Sequence, residues 1–187
     1  MQIYALCDAS TLQKRNKSLE DFVALASNHN ASIIQYRNKY DDFNSIKKDL
    51  LHLRQLWDKT LIINDYIDLL DFCDGIHLGQ EDLLRYGDDM LTASTVVRKQ
   101  IGKDKLFGIS THNKDEILEA NTLDIDYIGL GSFRQTDTKD VANRLGDSLD
   151  TLAALSKFPV GAIGGVKLSD SFKHVHYLVV GSDLYED

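Results

Sequence analysis

No glycine occurs in the first 74 of the 187 residues; all 12 lie at or after Gly75. An early dinucleotide fingerprint or Walker phosphate loop is thereby excluded, because each needs glycine directly after an early strand. Proline is almost absent, with Pro159 alone, and cysteine is limited to Cys7 and Cys73, both inside apolar runs. Two such thiols read as reduced, packed residues, not as a disulfide framework, a metal site or a nucleophile. No stretch approaches the roughly 18 apolar residues of a membrane span. The run Met1 to Cys7 carries no basic leader, so the expectation is a cytoplasmic chain with no membrane partner.

Positive charge is also in deficit. Lys and Arg number 21 against 29 Asp and Glu, a net charge of -8, and no dense basic block is present. Nucleic acid is therefore not expected as a partner, since that contact depends on neutralising phosphates. A small phosphorylated ligand stays compatible with this balance. It needs only two or three placed cations, backbone N–H groups and a divalent metal, none of which registers in net charge.

What the chain does have is a repeated alternation. Short apolar, β-branched or aromatic runs cover Gln2 to Cys7, Ser32 to Arg37, Thr60 to Asn64, Asp74 to Leu78, Lys105 to Ser110, Asp126 to Gly131, Pro159 to Ile163 and Tyr177 to Gly181. Between them, Leu19, Phe22, Val23, Leu25 and Ala26 form one apolar helical face, and Ile46, Leu50, Leu53, Leu56 and Trp57 form another. Further helices fit Ile67 to Phe72, Thr92 to Gln100, Lys114 to Asn121 and Ser148 to Lys157, with a short one near Leu168 to Lys173. Eight strands alternating with helices predict a single-domain α/β fold over residues 1–187, a (β/α)8 TIM barrel in preference to an open doubly wound sheet. Such barrels typically have about 250 residues, so this one is compact, and the eighth helix is expected to be missing.

In a barrel the chemistry lies at the C-terminal strand ends, so the polar residues closing each run are the candidates. Strand two ends in Gln35, Arg37 and Lys39, strand three in Asn64 and Asp65, and strand four leads through His77 and Gln80 to Asp82. Strand five ends in Ser110, Thr111 and His112; strand six in Gly129 and Gly131, followed by Thr136, Thr138 and Lys139. Gly164-Gly165 and Gly181-Ser182 close strands seven and eight, where small residues let backbone N–H groups reach a phosphate. Asp65 and Asp82 suit one hard cation such as Mg²⁺, although Asp65 also fits a helix N-cap. With Arg37, Lys39 and Lys139 at the same mouth, the set suits a metal-bound pyrophosphate. Of the six histidines, His77 reads as a core residue and His112 alone as a candidate for proton transfer; no paired spacing supports zinc.

Read together, the strand ends resemble the thiamine phosphate synthase family over nearly the whole chain. The residues that carry the resemblance are Gln35-Tyr36-Arg37-Asn38-Lys39, Ile63-Asn64-Asp65, Gly75-Ile76-His77-Leu78-Gly79-Gln80-Glu81-Asp82, Gly108-Ile109-Ser110-Thr111-His112, Tyr127-Ile128-Gly129-Leu130-Gly131 with Thr136-Asp137-Thr138-Lys139, Ile163-Gly164-Gly165 and Val180-Gly181-Ser182. The resemblance implies an Mg²⁺-dependent transferase that joins a hydroxymethylpyrimidine pyrophosphate to a thiazole phosphate, giving thiamine phosphate and pyrophosphate. It implies that Gln35, Arg37, Lys39, Asn64, Ser110 and Lys139 hold the pyrimidine pyrophosphate, with Arg37, Lys39, Lys139 and Ser110 as the catalytic set. Asp65 and Asp82 are then the Mg²⁺ ligands, and Thr136, Thr138, Gly164, Gly165, Gly181 and Ser182 hold the thiazole phosphate.

The chain departs from the family pattern at Asn38, where glutamate is usual, at Tyr40-Asp41-Asp42, and at Ser132-Phe133-Arg134-Gln135. Two alternatives share the fold: a thiazole tautomerase-like isomerase using His112, and a non-catalytic thiazole- or thiamine-phosphate-binding paralogue. The retained Asp82 speaks against the isomerase. An Mg²⁺-binding signalling receiver would need an acidic cluster at the end of strand one, where only Asp8 stands. A flank left bare by the missing last helix leads to the expectation of a homodimer.

Overall fold

A computed structural model describes residues 1–135 and 144–186. Its strands are β1 (Gln2–Asp8), β2 (Ile33–Arg37), β3 (Thr60–Asn64), β4 (Gly75–Leu78), β5 (Leu106–Thr111), β6 (Tyr127–Leu130), β7 (Val160–Ala162) and β8 (Tyr177–Val180). Each pairs in parallel with its sequence neighbour, and β8 closes on β1 with Gln2 opposite Tyr177, giving a closed eight-stranded barrel. The α-helices are α1 (Ala9–Lys14), α2 (Leu19–Asn28), α3 (Phe43–Leu56), α4 (Gln80–Leu83), α5 (Met90–Ile101), α6 (Lys114–Ala120) and α7 (Ser148–Ala153). Single 3₁₀ segments occupy Ile67–Phe72, Leu84–Tyr86 and Ser182–Tyr185.

Local sequence explains where the helices begin. Ser18 and Asp21 make a reciprocal capping box at α2, and Asp8, Asp42, Asp89 and Asn113 accept backbone N–H groups at the starts of α1, α3, α5 and α6. The faces carrying Phe22, Val23 and Ala26 on α2, and Ile46, Leu50 and Leu53 on α3, are buried against the outside of the barrel. Strands of such a barrel are covered on both faces, which is why they read as continuous apolar runs.

At the N-terminal end of the barrel the chain repeats one device. Asp74, before β4, accepts the Leu61 N–H of β3 and pairs with Arg54 of α3. Asp126, before β6, accepts the Phe107 N–H of β5 and pairs with the buried Arg98 of α5. Each carboxylate thus ties its strand to the neighbouring strand and to the helix that precedes that neighbour.

The barrel interior is filled by Tyr4, Ile33, Ile62, Tyr127 and Val179, with Leu6, Ile163 and Tyr177 against them. Tyr4, Tyr127 and Tyr177 pack edge-on or tilted, with ring centroids 6.1–6.4 Å apart. So much aromatic volume needs small neighbours: a Cβ at Gly108 would lie 2.1 Å from Tyr127 Cζ.

One expected helix and the expected bare flank need correction. No helix forms at Leu168 to Lys173; this stretch is turns, held by Asp170, which accepts the Lys167 N–H and pairs with Arg134. Side-chain bonds there take the place of a helical ladder. The flank after β8 is not bare, because the 3₁₀ turn Ser182–Tyr185 buries Leu184 and sets the Tyr185 ring 6.2 Å from Phe22 of α2.

Candidate active site

The predicted residues at the C-terminal mouth fall into three groups. On one side, the ends of β2, β3 and β4 bring charge together. Lys39 Nζ lies 3.0 Å from Asp65 Oδ2 and 3.8 Å from Asp82 Oδ2, and Asp82 also meets Arg85 at 3.1 Å. Asp65 does not cap a helix: its backbone takes a left-handed φ of 71°, its N–H donates to His77 O, and the next turn begins without a side-chain cap. Its Oδ1 is buried with no hydrogen-bond partner. Burial, opposed by the Lys39 ammonium and reinforced by the Asp82 charge, raises the Asp65 carboxyl above its usual range.

An orphaned carboxylate oxygen beside a second carboxylate, with an ammonium already drawn between them, is a place that calls for positive charge. Among the described residues no group of three or more His, Cys, Asp or Glu side chains gathers to hold a metal. Two carboxylates nevertheless fit Mg²⁺, which keeps several waters and takes the rest of its shell from substrate phosphate oxygens.

Arg37 is held by a residue that the strand-end reading passed over as a ligand-site element. Its Nη1 donates to Asp8 Oδ2, while Asp8 Oδ1 accepts from Ser10 Oγ, Thr11 N and Thr11 Oγ1. Burial works against the charge on Asp8, but these donors outweigh it and hold its carboxyl below the usual range. The departure at Asn38 also has a local reason. Asn38 is buried; its Oδ1 accepts the N–H groups of Tyr40 and Asp41, and its Nδ2 donates to Tyr36 OH and Asp41 Oδ2, so it folds the loop that carries Lys39.

Inside the mouth, Gln35, Asn64 and Ser110 belong to one hydrogen-bonded chain. Gln35 Nε2 donates to Asn64 Oδ1 at 2.7 Å and Tyr4 OH donates to Gln35 Oε1 at 2.7 Å. Tyr4 and Tyr127 hydroxyls are 2.9 Å apart, Tyr127 OH lies 3.2 Å from His77 Nδ1, and His77 Nε2 lies 3.0 Å from Ser110 Oγ. His77 is buried, as a core residue should be, but serves as a polar link. Burial lowers its pKa to about 4, so the ring is neutral. Alternation along a strand does not disclose such a chain, because its members are spread over β1 to β6.

Opposite, β7 and β8 end in small residues. Gly164 and Gly165 take positive φ values of 84° and 66°. A Cβ at Gly164 would lie 2.2 Å from Ser132 Oγ, so glycine is required there by both conformation and space. The carbonyls of these two glycines accept from Arg134, whose guanidinium pairs with Asp170 through both nitrogens at 2.6 and 2.8 Å. The N–H groups of Gly164, Gly165, Gly181 and Ser182 donate to no acceptor among the described residues. Such a set of open amides is what an anion needs. Thr136, Thr138 and Lys139 lie outside the described residues. His112 is tied to α6, its backbone N–H and Nδ1 both meeting Glu116 Oε2 at 2.8 and 2.9 Å.

This geometry can hold two anionic groups on opposite sides of one barrel mouth, since β3 and β7 are half a barrel apart. The family model described as thiamine monophosphate synthase matches residues 3–179. The thiamine-phosphate synthase of Lawsonia intracellularis is 35% identical over 172 residues, covering 88% of this chain and 74% of that protein. That of Persephonella marina is 32% identical over 173 residues, covering 89% and 77%. Among solved structures, thiamine phosphate pyrophosphorylase from Pyrococcus furiosus superposes with a TM-score of 0.76 at 27% identity, over 97% of this chain and 85% of that one. The chain belongs to the thiamine monophosphate synthase family.

Proposed function

We propose that the chain is a thiamine-phosphate synthase, a transferase that couples hydroxymethylpyrimidine pyrophosphate with thiazole phosphate and releases pyrophosphate. The observation that carries this reading is the pairing of a charged cluster at β2–β4 with open backbone amides after β7 and β8, across one mouth. Relatives named for that activity support it.

In the reaction the bond between the pyrimidine methylene carbon and the pyrophosphate oxygen breaks, and the electron pair leaves with pyrophosphate. The thiazole nitrogen lone pair then forms the new C–N bond. No proton has to move at either carbon or nitrogen, so leaving-group stabilisation and positioning matter more than a general base. Arg37, pre-set by Asp8, and Lys39, on the loop folded by Asn38, bind the pyrophosphate, with Lys139 assigned the same role. Gln35, Asn64 and Ser110 orient the pyrimidine. Gly164, Gly165, Gly181 and Ser182, with Thr136 and Thr138, hold the thiazole phosphate so that its ring nitrogen faces the methylene carbon. Asp65 and Asp82 would hold Mg²⁺, which supplies positive charge to the leaving group when bound.

The reading includes a cytoplasmic enzyme working on small substrates as one barrel domain over residues 1–187. No described helix is long and apolar enough to cross a membrane. It also includes a homodimer, suggested by the connection from β7 to β8, which has no helix to cover the barrel. The deciding experiment mixes both phosphorylated precursors with protein and Mg²⁺ and follows pyrophosphate. Release that depends on both precursors and disappears with EDTA is expected; background release with retained thiazole phosphate binding would sink the synthase reading. A strict monomer at micromolar concentration in sizing experiments would remove the dimer.

A further inference from the structure

The chain of bonds through the barrel has a direction. Gln35 turns Nε2 to Asn64 Oδ1, which leaves its Oε1 to accept from Tyr4 OH. A phenol has one proton, so Tyr4 oxygen must accept from Tyr127 OH, and Tyr127 oxygen must accept from His77 Nδ1–H. A neutral imidazole then carries no proton on Nε2, which accepts from Ser110 Oγ–H. No described carboxylate touches the His77 ring to stabilise a second proton on it.

The two ends are therefore set oppositely. Asn64 spends its oxygen inside the chain and keeps Nδ2, which has no partner among the described residues, as a donor. Ser110 spends its proton inside the chain and keeps its Oγ lone pairs as an acceptor. Asn64 and Ser110 stand on β3 and β5, two strand spacings apart, roughly 10 Å. A single heteroaromatic ring with a hydrogen bond on each side spans about that distance at ordinary bond lengths. Reversing the polarity would require every link to turn over together, both amides included, because no link can change alone without leaving a buried polar atom unpaired.

We propose that Tyr4, Tyr127 and His77 are positioning residues that fix Asn64 as a donor and Ser110 as an acceptor toward the ligand, and that this polarity selects an aminopyrimidine over its oxo counterpart. The proposal rests on the pyrimidine-binding reading above. An aminopyrimidine offers a ring nitrogen to Asn64 and an amino group to Ser110. The oxo form offers Ser110 a carbonyl oxygen, so two acceptors face each other. The key sites are walled to keep the chain in register: a Cβ at Gly129 would lie 3.2 Å from His77 Cε1, and one at Gly108 would enter the Tyr127 ring.

The test uses Tyr4→Phe, which removes one hydroxyl and keeps the ring. Without Tyr4 oxygen, the Tyr127 proton has only His77 Nδ1 to go to, and His77 must carry its proton on Nε2. Nitrogen-15 spectra at pH 7 should show His77 as the Nδ1–H tautomer in the wild type and the Nε2–H tautomer in the variant; an Nε2–H wild type overturns the proposal. Calorimetric binding of the amino and oxo pyrimidine pyrophosphates should favour the amino form by at least ~100-fold in the wild type, and the ratio should fall at least ~10-fold in the variant. KM for thiazole phosphate should not change, which a general loosening of the barrel would not permit. A folded variant that keeps its amino-to-oxo ratio within about twofold overturns the proposal. If Tyr4→Phe does not fold, Tyr127→Phe and the wild-type tautomer decide. Amino preference without pyrophosphate release upholds the polarity and sinks the synthase reading; release without preference does the reverse, and binding of neither pyrimidine overturns both.

Discussion

Arg37 at the end of β2 donates to Asp8 at the end of β1, and Asp8 is itself fixed by three donors from Ser10 and Thr11. A guanidinium held this way is aimed before any anion arrives, so little order has to be imposed on binding. Asp8→Ala should free Arg37 and raise KM for the pyrimidine pyrophosphate, lowering kcat/KM about 10- to 100-fold. The lost N-cap of α1 should cost about 1 kcal/mol of stability. Steady-state kinetics with a parallel melting curve separates the two effects. Unchanged kinetics would mean that Arg37 holds its position without Asp8.

Asp65 and Asp82 should couple metal to stability as well as to turnover. A cation that binds the folded mouth and not the unfolded chain raises Tm by mass action. Mg²⁺ should raise the Tm of the wild type, and Asp82→Ala should abolish both that shift and most of the pyrophosphate release. EDTA should reproduce the loss of release in the wild type. A Tm insensitive to Mg²⁺ in substrate-free and pyrophosphate-bound protein alike would show that the Lys39 ammonium meets the charge demand alone.

Strands were the most legible part of the molecule, because parallel barrel strands are buried on both faces and stand out as apolar runs; Thr60 to Asn64 coincides with β3 to the residue. Helices with a broad apolar face were equally visible, as in α2 and α3. Helix α1 was not, since its six residues bury only Leu12 and it owes its start to the Asp8 cap. The expected helix at Leu168 to Lys173 failed for the opposite reason: the short pattern was there, but Asp170 binds Arg134 and Lys167 instead. At the mouth, single strand ends pointed to Lys39, Asp65 and Asp82. The links between elements were hidden, because Tyr4 and Tyr127 look like any core aromatic until the barrel closes and puts their hydroxyls 2.9 Å apart.

The neutral His77 ties stability to pH. Its pKa is about 4 in the folded protein, against about 6.5 when unfolded. Between those values the unfolded chain takes up a proton that the folded one refuses, so stability falls as pH drops from about 6.5 and the loss is complete near pH 4. The loss assigned to this residue is at most on the order of 3 kcal/mol. His77→Gln should flatten the wild-type slope in that window and leave the difference between the two proteins constant above pH 7. Urea denaturation at a series of pH values measures it; parallel slopes would show that His77 is protonated equally in both states.

The environment of Gly108 leaves no room for a side chain. The three nearest atoms to an added Cβ, at 2.1, 2.4 and 2.5 Å, all belong to the Tyr127 ring. That ring cannot retreat, being packed against Tyr4, Tyr177 and His77. Gly108→Ala should therefore destabilise the fold by about 3 kcal/mol, the upper range for overpacking. If the clash with this one ring is the cause, the same substitution should cost at least ~1 kcal/mol less in a Tyr127→Ala background, where the methyl enters vacated space. Denaturation of the two single variants and the double variant gives that coupling directly. Strict additivity would locate the strain elsewhere along β5. A coupling of the expected sign would show that glycine at position 108 is retained for the volume of the tyrosine that links Tyr4 to His77.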